Sequence, residues 1–480
     1  MPDNHSFGTF LLNRSNRIYL LLSAAAAILQ LTVFKLLYPY ADYFSDSYSY
    51  IFAAMKHLGA SIWPIGYSRF IGLFHLVSTS DTALVSFQYI TLCLAELYFF
   101  FTICYLYNPG KIIRHIIFIF LIFNPASLYL SNYISSDALF LAMSLCWITQ
   151  LLWMMHQPER SQIIVITLLV AVAFTFRYNA MFYPVLTAVI YLMSGHKPLL
   201  KITGILAPVI LIGLFVSYTR TQTRQLTGTA QFSVFSGWQL ANNALYMYPY
   251  ITVDKAPPPS CLKLHQAVNQ YFDTIHPALK LMTPMDGAFY LKYSAGPLKT
   301  YLAAHTNDKK DTTGGIRSWG TVSPVFADYG KFLILHHPLP YIEFFLLPNF
   351  YNYCIPPVEK LEVYNLGAPQ VGSIARKWFH YPSSQVTAFS FTAQGIIFQY
   401  YPYLFLLINL CYFSITLFWW TLKTNAGSFG RAVVVIFLFF LLNAAFGILA
   451  SPIVLRYQIL PMVILFSFAL TTLHQLRLNK

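Results

Sequence analysis

The chain has 480 residues, of which 57% are hydrophobic, 18% aromatic and only 10% charged, against about 25% charged in an average soluble domain. So few charges cannot cover a soluble enzyme of this length, and so apolar a chain is not a disordered one. The 30 basic and 16 acidic residues, net +14, therefore speak to membrane topology and not to a nucleic-acid surface.

The mean hydropathy of +0.55 predicts an all-α polytopic membrane protein. A spanning helix needs about 20 mostly apolar residues. About ten such stretches occur, at 18–39, 82–107, 112–130, 137–155, 161–177, 179–194, 199–217, 398–420, 431–449 and 454–473. The first is too long for a signal peptide, has no small-residue cleavage site after it and carries Lys35 near its end. Basic residues mark alternate loops: Arg14 and Arg17, Lys111 and Arg114, Arg160, Lys197 and Lys201, Lys423 and Arg431, Arg477 and Lys480. The loops between have almost none. This alternation puts both termini in the cytoplasm and residues 40–81 and 218–397 outside.

Residues 1–217 then form an N-terminal transmembrane module, 218–397 a large extracytoplasmic loop domain and 398–480 the C-terminal transmembrane helices. Within 40–81, SYSYIFAAMKHLGASIW and IGYSRFIGLFHLV have helical apolar spacing but are too short to span. They predict amphipathic surface helices. The large loop carries turn signals such as APPPS, TTGG and IPP, and a loop this long is expected to have structure of its own. Its apolar run ILHHPLPYIEFFLLPNFYNY, broken by three prolines, reads as re-entrant or surface-lying. Cys93, Cys104, Cys146 and Cys411 sit in apolar runs as small hydrophobes. Cys261 and Cys354 lie in the loop, where pairing is left open.

Ionisable residues near membrane depth are costly and mark function. Asp42 and Asp46 follow the first span, Asp137 starts the fourth, Arg177 ends the fifth and Arg456 starts the last. All face the same side. Each alone also fits a helix-end role; Asp137 suits a helix N-terminus. Glu96, inside the second span, reads as a buried glutamate bonded to a neighbouring span. The adjacent pair His336 and His337 does not suggest a metal site. Lys56 and His57 fit the polar face of a surface helix, or a lipid-phosphate contact. Trp238, Trp319 and Trp378 are candidates for stacking on sugar rings.

The run FSDSYSYIFAAMKHL followed by WPIGYSRFIGLFHLV resembles the first outer loop of polyprenyl-phosphate-sugar-dependent glycosyltransferases of the GT-C fold, the superfamily of protein O-mannosyltransferases and lipid A aminoarabinose transferases. Pro64-Ile65-Gly66-Tyr67 departs from that family's Pro-Gly-Tyr-Pro turn by one inserted residue and a missing second proline. FNPASLYLSNYISSDALFLAMSL, FRYNAMFYP and SPIVLRYQILPMVIL resemble the family's later motifs, in the right order. The resemblance covers residues 40–190 and, more weakly, the last 30. It does not cover the large loop.

The resemblance implies transfer of a sugar from a polyprenyl-phosphate carrier to an extracytoplasmic acceptor, a glycan, lipid or protein, with inversion. By match to the family, Asp46 is the general base, with Asp42 as the alternative. Asp137 orients the acceptor, positions Asp46 or holds a metal. Arg177 and Arg456 bind the donor phosphate, for which a planar fork is suited, and Lys56 and Tyr67 join them as donor-site candidates. The resemblance implies no certain cofactor; a divalent metal ion is left open. The implied location is a bacterial inner membrane. The rival readings are a flippase of lipid-linked sugars, though no inverted repeat is visible, a non-catalytic assembly factor, and an O-antigen-ligase-like enzyme.

Overall fold

The structure is a computed structural model that describes residues 6–306, 313–422 and 427–478. Lys423, Lys480 and Thr312 of the TTGG turn lie outside the described residues. The described chain is helical, with only isolated bridges, Asp42 to Tyr133 and Gln370 to Gln385, outside helices and loops. Among the described residues, eight helices are long and apolar enough to cross a membrane.

In chain order the elements that matter are α1 (Arg14–Leu37), α2 (Ser45–Met55), α3 (Gly66–His75), α4 (Asp81–Tyr107), α5 (Lys111–Ile122), α6 (Pro125–Asn132), α7 (Asp137–His156), α8 (Ser161–Phe176), α9 (Tyr183–Met193) and α10 (Pro198–Thr227). Then come α11 (Val234–Leu245), α12 (Leu262–Thr274), α13 (Pro297–His305), α14 (Ile316–His336), α15 (Leu347–Cys354), α16 (Ser373–Trp378), α17 (Tyr401–Thr421), α18 (Ser428–Ala450) and α19 (Leu455–Leu478). Of the ten expected spans, the two at 161–177 and 179–194 fall on α8 and α9. These have 16 and 11 residues, or about 24 and 16 Å of helix, short of the hydrocarbon thickness.

Local chemistry sets the helix ends. Asn124 accepts from Ala126 N at 3.0 Å, and Pro125 fills the first turn, where no N–H is needed. The Asn-Pro pair is thus a cap. Ser80 caps α4 in the same way, and Asn108, in the left-handed conformation, ends it.

The helices α4, α7 and α19 are mostly buried, whereas α1 and α10 expose apolar side chains along their length, the pattern of lipid-facing helices. Polar groups inside the bundle bond across helices. Trp147 Nε1 donates to Thr187 Oγ1 and Trp153 Nε1 to Thr102 Oγ1, both at 3.0 Å. Ser127 Oγ donates to Glu96 Oε1 at 2.7 Å, so Glu96 is the expected buried, bonded glutamate.

The large loop is not one body. Its helix α10 runs ten residues past the expected boundary at 217. Residues 234–346 have their own core, built on Trp238, Tyr246, Leu264, Phe326, Tyr329 and Phe345. Residues 358–398 form a strap that joins the main core through Leu361, Tyr364, Ala375 and Phe398. Phe389 N donates to Leu37 O at 2.7 Å, and Tyr43 and Tyr381 share a hydroxyl bond of 2.7 Å. The strap roofs α2: Gly372 N donates to Tyr48 OH at 3.1 Å, and Asp46, Ser47, Tyr50, Ile51, Ala53 and Ala54 are buried. So α2 is a covered helix and not the expected surface one, while α3 does expose Leu73. The apolar run before the strap does not span. It ends in α15, where Asn349 Nδ2 donates to Ile448 O and Ser451 O, both at 2.8 Å. All six cysteines are free, Cys261 and Cys354 included.

Candidate functional site

A cavity of about 620 Å³ opens where one end of the bundle meets the 234–346 unit and the strap. Asp46, Asp137, Arg177 and Arg456 all line it, from four elements spread over the whole chain. Lys292, Lys299, Glu359 and Lys360 line it as well. The lining therefore holds five cations against three carboxylates.

Each ionic side chain sits where an element starts or stops. Asp46 is in the first turn of α2 and Asp137 in the first turn of α7. Both gain from the free N–H groups there. Ser45 Oγ donates to Asp46 Oδ1 at 3.1 Å, and Ser135 Oγ to Asp137 Oδ2 at 2.8 Å. Arg177 is the extended residue after α8, so it leaves the helix axis toward the cavity. Arg456 opens α19, whose first amide, Leu455 N, is held by Pro357 O at 2.8 Å. That bond ties the last helix to the start of the strap and brings Glu359 and Lys360 into the cavity.

The charges alternate in space. Arg177 pairs with Asp137 Oδ1, and Arg456 Nη1 with Asp137 Oδ2 at 3.1 Å. Arg456 Nε lies 3.8 Å from Glu359 Oε2, and Lys292 pairs with Glu359 Oε1. Lys360 Nζ lies 3.1 Å from Asp46 Oδ2 and 3.9 Å from the Phe44 ring centre. Burial pushes the Lys360 ammonium down to about 8, with Asp46 opposing. Burial alone would raise Glu359, but Arg456, Lys292 and Lys360 outweigh it and hold the carboxyl at about 2. Glu359 also has a φ of +52°, a strained conformation for a side chain of this kind.

Two expected donor-site residues do not line the cavity. Lys56 caps the far end of α2 and is exposed; ten residues of helix separate it from Asp46 by about 15 Å. Tyr67 is fully buried, with its hydroxyl donating to Gln88 Oε1 at 2.8 Å. It packs edge-on behind Tyr50, which does line the cavity. Asp42, the alternative base, is also buried away from the cavity. It accepts from Asn365 N of the strap at 2.8 Å, and burial raises its carboxyl well above the usual range.

The sequence reading missed Lys292, Lys299, Glu359 and Lys360. The only local signal for the last two is a charged pair one residue beyond Pro356-Pro357, inside a loop with no resemblance to lean on. The carboxylates do not suit a divalent ion. Among the described residues no group of three His, Cys, Asp or Glu side chains forms, and Asp46 and Asp137 turn their oxygens to Lys360, Arg177 and Arg456. A cationic arc around paired carboxylates suits an anion.

A second hollow, an apolar groove of about 560 Å³, runs between α8, α9 and α10, lined by Phe174, Val209, Ile212 and Val216 among others. Met181 and Phe232 line both the groove and the cavity. No family model, no curated protein and no solved structure matches the chain.

Proposed function

We propose that the chain is an integral membrane glycosyltransferase of GT-C type that takes a sugar from a polyprenyl-phosphate carrier. The observation that carries this reading is the meeting of Asp46, Arg177, Arg456 and Lys360 in one cavity that shares a wall with an apolar groove. An anionic headgroup suits the first and a prenyl chain the second, and few ligands other than a lipid-linked phosphate need both. The basic residues Arg114, Arg160, Lys197, Lys201 and Arg431, at or just before the first turns of helices at the other end of the bundle, support an extracytoplasmic cavity.

In this reading Arg177, Arg456 and Lys360 bind the donor phosphate and take up the charge that grows on it as the anomeric C–O bond breaks. Asp46 accepts the proton of the acceptor hydroxyl as its oxygen forms the new bond to the anomeric carbon. The polyprenyl phosphate leaves with the electron pair, and the sugar inverts. Asp137 acts through the two arginines it aligns, and so is a positioning residue. The acceptor is an envelope glycan, lipid or protein, and the membrane is a bacterial inner membrane.

The test is sugar transfer in purified membranes, with polyprenyl-phosphate sugars as donors and envelope extract as acceptor. Wild type should transfer label, and Asp46→Asn and Arg177→Ala should each lose about 100-fold or more at matched expression. Label that crosses the membrane untransferred, with Asp46→Asn indifferent, would make the protein a flippase instead.

A further inference from the structure

The transferase reading uses the ionic part of the cavity. Much of the rest is aromatic: Trp63, Phe235 and Trp319 also line it. These come from the segment between α2 and α3, from α11 and from α14. They meet over a small separate core of Ala60, Ile62, Val234 and Ile316.

The structure separates the tryptophans that sequence left level. Trp238 is fully buried, stacked under Trp319 with centroids 4.1 Å apart and donating from Nε1 to Trp319 O at 3.1 Å. Trp378 stacks on His75, outside the cavity lining. Trp319 and Trp63 keep part of their surface open. Both are held in place: Trp63 packs on Phe235 with centroids 4.5 Å apart, and Lys299 Nζ sits 4.0 Å from the Trp319 ring centre. Ser233, Ser236 and Gln239 share the lining with them. Fixed aromatic rings beside hydroxyl and amide groups match a sugar, which has an apolar C–H face and a polar edge.

We propose that Trp63 and Trp319 form a saccharide-binding plate, with Ser233, Ser236 and Gln239 serving the sugar hydroxyls. Its role as the acceptor subsite rests on the transferase reading; the binding of a sugar there does not. The acceptor is then a glycan and not a bare lipid or peptide.

The test uses full-length protein in nanodiscs free of sugar detergents, on an array of printed oligosaccharides with printed peptides beside them. Wild type should retain at least one saccharide class. Trp63→Leu and Trp319→Leu should weaken retention about tenfold, and Trp63→Phe and Trp319→Phe should stay within about threefold of wild type. Retention of no saccharide, retention of peptides alone, or Leu and Phe variants that behave alike would overturn the proposal. The array needs no turnover, so it decides the plate even where the transfer assay refutes the transferase.

Discussion

Asp137 is held on both carboxylate oxygens, by Arg177 on Oδ1 and by Arg456 on Oδ2. All three side chains are largely buried. Removing one partner of a buried ionic group costs about 3–5 kcal/mol, because the remaining charge stays behind unpaired. Asp137→Asn leaves two guanidinium groups side by side, so its thermal unfolding temperature should drop clearly below that of wild type. Adding Arg177→Met should recover part of the loss, since the residues are coupled. Lys360 makes a pH-dependent prediction. Its ammonium titrates near 8 in the fold but above 10 in an unfolded chain. Between those values the unfolded state binds more protons, so this group favours folding as pH rises. Anion binding runs the other way, because the neutral amine no longer attracts phosphate. Donor kcat/KM should therefore fall above about pH 8, and Lys360→Arg should remove that limb of the profile. At this scale Asp46, Asp137, Arg177 and Arg456 were legible, because charge in an apolar sequence stands out. Lys360 was not, because nothing local tells that a residue 314 positions away meets Asp46.

The helices α11 and α14 approach so closely that Gly330 touches the backbone of its neighbour. A Cβ there would lie 2.7 Å from the Leu240 carbonyl carbon and 2.8 Å from Ala241 N. Backbone cannot step aside as a side chain can, so Gly330→Ala should cost about 3 kcal/mol. Faster limited proteolysis within 234–346 is the expected sign. Spans were easy to read from hydropathy, whereas the capping role of Asn124-Pro125 came from the structure. The limits were equally physical. Hydropathy cannot tell α8 and α9, too short to span, from full-length spans, since it measures composition and they are apolar throughout. Nor can it tell that α2 is roofed. Its amphipathic spacing is real, but Asp46 and Tyr48 meet Lys360 and Gly372 of a distant strap, and only its ends, at Ser45 and Lys56, stay exposed.

Taken whole, the molecule joins a polar cavity to an apolar groove through Met181 and Phe232. If a prenyl chain lies in the groove, narrowing it should discriminate by chain length. Ile212→Trp or Val216→Trp should raise the KM for long-chain donors about tenfold, in line with the loss of one or two buried methylene contacts. Donors with chains too short to reach the groove should be unaffected. A transfer assay with a chain-length series of donors reads this directly.

The contact between Arg456 and Asp137 spans 319 residues, and this sets a clock on the protein's own synthesis. A ribosome adds about 5–20 residues per second, so Asp137 reaches the membrane roughly 15–60 s before its second arginine. Arg177, only 40 residues on, arrives first and neutralises it in the meantime. The cavity itself waits for α19, more than 300 residues behind Asp137. A nascent chain therefore inserts most of its helices with no working site, and a chain cut short by a premature stop codon before α19 would sit in the membrane inert.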